Sequence, residues 1–127
     1  MIILAIRTDT VDTDIRLYED HNLLASKSWT AGRDLARTLL GEITGLCAEA
    51  GTTIQAIEGV ICYKGPGSFT GLRIGITVGN TIAYGNSVPI VGVHGDNWCN
   101  VGIDSLLSGA NEKILVPEYG SEAHITL

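Results

Sequence analysis

One stretch constrains the fold more than any other: Lys64-Gly65-Pro66-Gly67-Ser68-Phe69-Thr70-Gly71-Leu72-Arg73-Ile74-Gly75. It follows a short apolar, β-branched run, Gly59 to Tyr63, and opens a segment of helical spacing that reads from about Phe69 to Tyr84, with Gly85 ending it. A strand that turns at once into a long helix belongs to an α/β crossover. Gly65 and Gly67 permit tight backbone geometry, Pro66 stiffens it, and Ser68 or Thr70 is placed to cap the helix. Amides at a helix start attract anions. The segment therefore reads either as a stiff turn or as a phosphate cradle. It is not a Walker A loop, because no Gly-Lys-Ser/Thr closes it at the required spacing.

The rest of the chain fits around that crossover. Ile2 to Ile6 reads as a buried strand, Asp14 to Glu19 alternates as a second, and Leu23 to Ser28 returns as a third after the Asp20-His21-Asn22 turn. A helix is predicted over 32–50, with Leu35, Leu39, Ile43, Leu46 and Ala50 on one face and Gly51 as its left-handed cap. Gly41 and Gly45 weaken that helix by about 1 kcal/mol each relative to alanine, so further contacts must hold it. Pro89 to Val93 reads as a fifth strand, and Asp96 as the cap of a third helix reaching Leu107. Lys113 to Val116 is a weak final strand, followed by a loose tail. The order β-β-β-α-β-α-β-α predicts an α/β fold of actin-like or RNase H-like type. Three antiparallel strands and two right-handed crossovers give a mixed five-stranded sheet with helices packed on it. One domain over 1–112 and a tail over 113–127 are expected.

Composition excludes several function classes. The 127 residues carry a net charge of -6, and no Lys/Arg cluster supplies the basic surface that direct nucleic-acid binding needs. The apolar start, Met1 to Ile6, has no basic region or cleavage site and is not read as a signal peptide. No apolar run approaches the ~18 residues of a membrane span. Cys47, Cys62 and Cys99 lie far apart and fit a reduced, cytoplasmic protein. With His21, His94 and His124 equally scattered, neither a metal site nor a cofactor is expected.

Catalysis finds little support. An RNase H-type nuclease needs carboxylates at the ends of its first and fourth strands and on its first helix, converging on a metal. Here the first strand ends in Arg7 and the fourth in Tyr63-Lys64. Asp34, Glu42 and Glu49 on the first helix therefore lack partners at those ends, and Asp9 and Asp12 read as turn residues. A degenerate ATPase or metal-dependent nuclease is the enzymatic alternative, and it would use Asp9 or Asp12. In the second helix Gly71, Gly75, Gly79 and Ala83 recur every four residues and form a ridge almost without side chains. That ridge suits close packing on its own sheet or docking of a partner.

The run Gly65 to Ile76 resembles the signature of the TsaB family, which takes part in threonylcarbamoyladenosine formation on tRNA. The opening Ile3-Leu4-Ala5-Ile6-Arg7-Thr8 and the later Val88-Pro89-Ile90-Val91-Gly92-Val93 are similar to that family as well, so the resemblance covers about residues 1 to 100. It implies an actin-like, non-catalytic partner subunit that dimerises with the paralogue TsaD, the subunit that transfers the threonylcarbamoyl group, in a complex also bound by the ATPase TsaE. A homodimer through the same surface is the other assembly considered. In the family two helices of this domain bundle with the partner's equivalent pair. Carried over, the interface residues are Leu35, Leu39, Ile43, Leu46, Gly71, Gly75 and Gly79, and the motif loop is Gly65, Pro66, Gly67, Ser68, Phe69, Thr70, Gly71 and Arg73. On that reading Gly75→Leu abolishes partner binding and leaves the domain folded; an unfolded variant puts the ridge in its own core. The sequence departs from the family in having Arg7 for the usual first-strand acid and Gly32-Arg33-Asp34 for a Glu-His pair. It is expected to be a short form without the second lobe.

Overall fold

Strand β1 (Ile2–Arg7) is apolar at successive positions because both faces of its sheet are covered. In the computed structural model, which describes residues 1–118, Leu4 and Ile6 point to one side and Ile3 and Ala5 to the other, all fully buried. Beside it run β2 (Asp12–Glu19), β3 (Asn22–Thr30), β4 (Gly59–Tyr63) and β5 (Ile90–Val93) in the sheet order β3-β2-β1-β4-β5. β1, β2 and β3 are antiparallel neighbours, while β4 is parallel to both β1 and β5. This is the predicted mixed five-stranded sheet.

Helices α1 (Leu35–Glu49) and α2 (Phe69–Asn86) cover one face, and α3 (Trp98–Leu107) covers the other. Alternation along β4 shows the division: Val60 and Cys62 meet the α1–α2 layer, and Ile61 meets α3. Gly102 of α3 permits that approach, since a Cβ there would lie 2.7 Å from the Ile61 side chain.

Several boundaries differ from the sequence expectation; β2 starts at Asp12 instead of Asp14, and β3 spans Asn22–Thr30 instead of 23–28. Residues Gly32–Asp34 form a 3-10 turn, and α1 proper starts at Leu35. Helix α2 continues through Gly85 to Asn86 and ends in a left-handed Ser87. The Asn86 side chain holds this end, donating to the carbonyls of Ile54 and Ile57. Helix α3 begins after Asn97, with no side-chain cap from Asp96. Lys113–Val116 is not a strand. The Asn80 side chain occupies both the amide and the carbonyl of Leu115, so the backbone groups a ladder would use are already satisfied. The tail expected from Pro117 onward falls, beyond Glu118, outside the described residues.

Gly51 caps α1 at φ +77° as expected. Gly41 and Gly45 have nothing within 4 Å of an added Cβ. Their cost is thus not recovered by packing against the described residues. Gly41→Ala is expected to raise stability by about 0.5–1 kcal/mol, read as a higher urea midpoint at unchanged m-value.

Candidate partner surface and motif loop

Leu35, Leu39, Ile43 and Leu46 are the buried face of α1, packed into the core shared with β1, β2 and β4. They are not available to a partner. A helix with one continuous apolar face turns it toward its own sheet first, because that burial is what holds the helix in place.

The glycine ridge of α2 is likewise turned inward. A Cβ on Gly71 would lie 2.4 Å from the Thr8 carbonyl oxygen, one on Gly75 2.1 Å from Thr8 Oγ1, and one on Gly79 2.4 Å from Cys62 Sγ. The ridge lets α2 settle onto β1 and β4, and Thr8 Oγ1 donates to the Gly71 carbonyl at 2.8 Å. Of the two uses the spacing allowed, close packing on the sheet is the one realised.

The motif loop is a brace between strands. Gly65 sits at φ +113°, and a Cβ there would lie 2.2 Å from the Glu118 carbonyl oxygen. The Glu118 amide in turn donates to the Lys64 carbonyl at 2.7 Å. The Gly65–Pro66 peptide is cis. Gly67 lies against the backbone of Asp9, with a virtual Cβ 2.7 Å from its carbonyl oxygen, and the Ser68 amide donates to that oxygen at 2.8 Å. Ser68 caps α2 by accepting from the Gly71 amide at 3.4 Å. Phe69 and Arg73 point outward, the guanidinium 5.7 Å from the ring centroid. The loop thus fastens the start of α2 to the β1–β2 turn.

Sequence reasoning did not find the cation–aromatic cluster on the α3 side. Arg7 lies 3.8 Å over the Tyr63 ring and holds Asp9 through two hydrogen bonds, 2.9 and 3.2 Å. Tyr63 meets Trp98 edge to face at 6.1 Å, and Arg16 sits 5.3 Å from the same indole while pairing with Asp14 at 3.0 and 2.8 Å. Hydrogen bonding to Asp9 and Asp14 respectively raises the pKa of each guanidinium. Arg16 stands two residues from Asp14 on β2, and Arg7, at the end of β1, two residues before Asp9; this spacing is the one pattern that could have been read. Trp98 is brought in only by the β5–α3 connection. Asp9 is thereby ion-paired and buried, and Asp12 accepts the Thr30 hydroxyl at 2.7 Å. Among the described residues no group of three or more His, Cys, Asp or Glu converges as a metal site would require.

The three cysteines are free and buried. Burial pushes the Cys62 thiol up to about 12 and raises Cys47 and Cys99 as well. Below the ordinary thiol value near 9, Cys62 leaves stability unchanged; from there to about 12 the unfolded chain ionises while the folded one does not. Stability is therefore expected to fall with rising pH over that window, by about 1 kcal/mol per pH unit from this thiol. Urea unfolding of wild type and Cys62→Ala at several pH values checks the slope, which the variant should flatten.

What α1 and α2 leave open is their outward side. A groove of about 320 Å³ runs between them, lined by Ala36, Arg73, Ile74, Thr77 and Val78. Leu40 and Phe69 on the same helices are 53% and 52% exposed. Gly41 and Gly45 also leave open space beside α1. No helix among the described residues is long and apolar enough to cross a membrane.

Comparison with known proteins converges on one group. A family model described as "TsaD: tRNA N6-adenosine threonylcarbamoyltransferase" matches residues 29–99. The tRNA threonylcarbamoyladenosine biosynthesis protein TsaB of Escherichia coli (strain K12) is 33% identical over 93 residues, which is 73% of this chain and 40% of that protein. The solved structure of YeaZ from Pseudomonas aeruginosa aligns with a TM-score of 0.68 at 31% identity, over 73% of this chain and 43% of that one. RuvC from Thermus thermophilus aligns with a TM-score of 0.50 at 11% identity, over 93% of this chain and 86% of that one, a likeness of fold alone. The chain spans less than half the length of the TsaB and YeaZ relatives it matches.

Proposed function

The chain belongs to the TsaB family, within the wider group of threonylcarbamoyltransferase-like proteins, and on that premise we propose that it is a non-catalytic partner subunit in forming threonylcarbamoyladenosine on tRNA. Its partner is a TsaD-type paralogue, docked through the outward side of α1 and α2.

The observation that carries this reading is the exposed apolar groove of the helix pair. Leu40, Ile74 and Val78 offer aliphatic surface, Gly41 and Gly45 allow close approach, and Arg73 supplies a charge at the rim. Two helices presenting such a face can be completed by two more, in the packing of a four-helix bundle. The partner residues named by family resemblance therefore move one face round, from the core side to the solvent side of the same helices. The absence of catalysis is supported by the strand ends. Where a metal-dependent centre would converge its carboxylates, this chain stacks Arg7 on Tyr63. An ATPase of TsaE type would act on the assembled pair rather than on this subunit. The setting for such a reaction is cytoplasmic.

The test is reconstitution of tRNA modification with TsaD, TsaE and the enzyme that makes the threonylcarbamoyl donor. Omitting this chain is expected to abolish product, and this chain alone to make none. Product formed equally well without it would defeat the proposal.

A further inference from the structure

The groove between the helices is not the only cavity beside the motif loop. At the head of α2 the β1–β2 turn, the Ala31–Leu35 segment and Ser68–Ile74 enclose a second one of about 310 Å³. We propose that this cleft binds a small, singly charged carboxylate with a short aliphatic body.

The carrying observation is Thr13. The residue is 1% exposed, yet its Oγ1 has no hydrogen-bond partner among the described residues. Thr13 lies on the same strand face as Ile15 and Leu17, the face covered by α1 and α2, and it lines the cleft. Buried hydroxyls are almost always paired, so an orphan at the wall of a cavity marks where a ligand atom belongs. Two further features give that atom its charge. The cleft opens on the N-terminus of α2, an 18-residue helix whose first amides carry roughly half a positive charge. Arg33 stands at the cleft and makes no ion pair among the described residues.

The nearby acids do not compete for it. Asp34 pairs with Arg37 at 3.4 Å, Asp9 is held by Arg7, Asp12 accepts from Thr30, and among the described residues no carboxylate lines the cleft. One guanidinium and one helix terminus supply roughly one and a half positive charges, which covers a carboxylate in full and falls short of a phosphate at its full charge of about −2. Val11, Leu35 and Ile74 form an apolar wall that suits an aliphatic chain and not a sugar. Thr13 Oγ1 and the Ser68 or Thr70 hydroxyls would donate to the carboxylate, and Arg33 would neutralise it.

Titration of the full chain, labelled with nitrogen-15, with valerate, 1-pentanol and inorganic phosphate tests this directly. Valerate is expected to shift the Thr13, Arg33 and Thr70 amides saturably with a dissociation constant of about 10 mM or below, in line with its few heavy atoms. Pentanol and phosphate should each bind at least roughly tenfold more weakly. Thr13→Val keeps the shape and removes the orphan hydroxyl, so it should fold normally and weaken valerate at least about fivefold. Arg33→Gln, on an exposed residue, should do the same and guards against any folding defect in the first variant. The proposal is overturned by a lack of saturable shifts at high valerate, by equal binding of pentanol, by tighter binding of phosphate, or by indifference to both substitutions.

Discussion

Gly75→Leu is expected to destabilise the domain strongly. The first side-chain carbon alone would lie 2.1 Å from Thr8 Oγ1 and 2.9 Å from Thr8 Cγ2, on a threonine that is itself buried. Helix α2 cannot rise off the sheet to make room without breaking the bond from Thr8 Oγ1 to the Gly71 carbonyl and opening the contact of Gly79 with Cys62. Overpacking costs about 1–3 kcal/mol, and a buried hydroxyl stripped of its partner costs about 1–3 more. Together that is about 2–6 kcal/mol, a substantial fraction of the roughly 5–15 kcal/mol total stability of a domain of this kind. Urea unfolding followed by circular dichroism should show a midpoint well below that of wild type. A variant with the wild-type midpoint would mean that the ridge does not bear on the sheet.

The opposite pairing of effects is expected for Leu40→Glu. Leu40 is 53% exposed and lies outside the buried core clusters. Its replacement should change stability by no more than about 0.5 kcal/mol, as surface substitutions usually do. In a bundle with a partner's helices the same position becomes central and dry. A carboxylate buried there without a counter-charge should cost about 2–4 kcal/mol of binding, a loss of roughly 30- to 1000-fold. Calorimetric titration with the TsaD-type partner reads the loss, and a melting curve confirms the intact fold. Full affinity in this variant would exclude the helix face as the docking surface.

These two residues show what the sequence could and could not reveal. Strand and helix identities were legible, because Ile15 and Leu17 alternate, Ile3 to Ile6 run apolar between two covered faces, and α1 repeats its apolar residues at helical spacing. The facing of the α2 ridge could also have been read. On a helical projection Gly71, Gly75 and Gly79 fall within the same arc as the buried Leu72, Ile76 and Ile82, whereas Arg73, Thr77 and Tyr84 occupy the exposed arc. A glycine inside an apolar arc packs where that arc packs. The fourfold repeat by itself gives a line on the helix and no direction.

Other features lay beyond local reading. The end of α2 at Ser87 depends on Asn86 reaching the carbonyls of Ile54 and Ile57, 32 and 29 residues away in sequence. Leu115 is held by Asn80 and not by a strand partner, so β-propensity at 113–116 was outweighed by one side-chain amide. The orphan hydroxyl of Thr13 has no sequence signal at all. Its burial comes from α1 and α2 closing over the sheet, and its lack of a partner shows only when every neighbour is placed.

The central claim is that the outward side of α1 and α2 is a binding surface for a TsaD-type subunit. Light scattering coupled to gel filtration, on this chain mixed with that subunit, tests it most directly. A single peak at the mass of a one-to-one pair is predicted, lost with Leu40→Glu and kept with Thr13→Val. Two separate peaks at the masses of the free proteins, or a pair that forms equally well with Leu40→Glu, would contradict it.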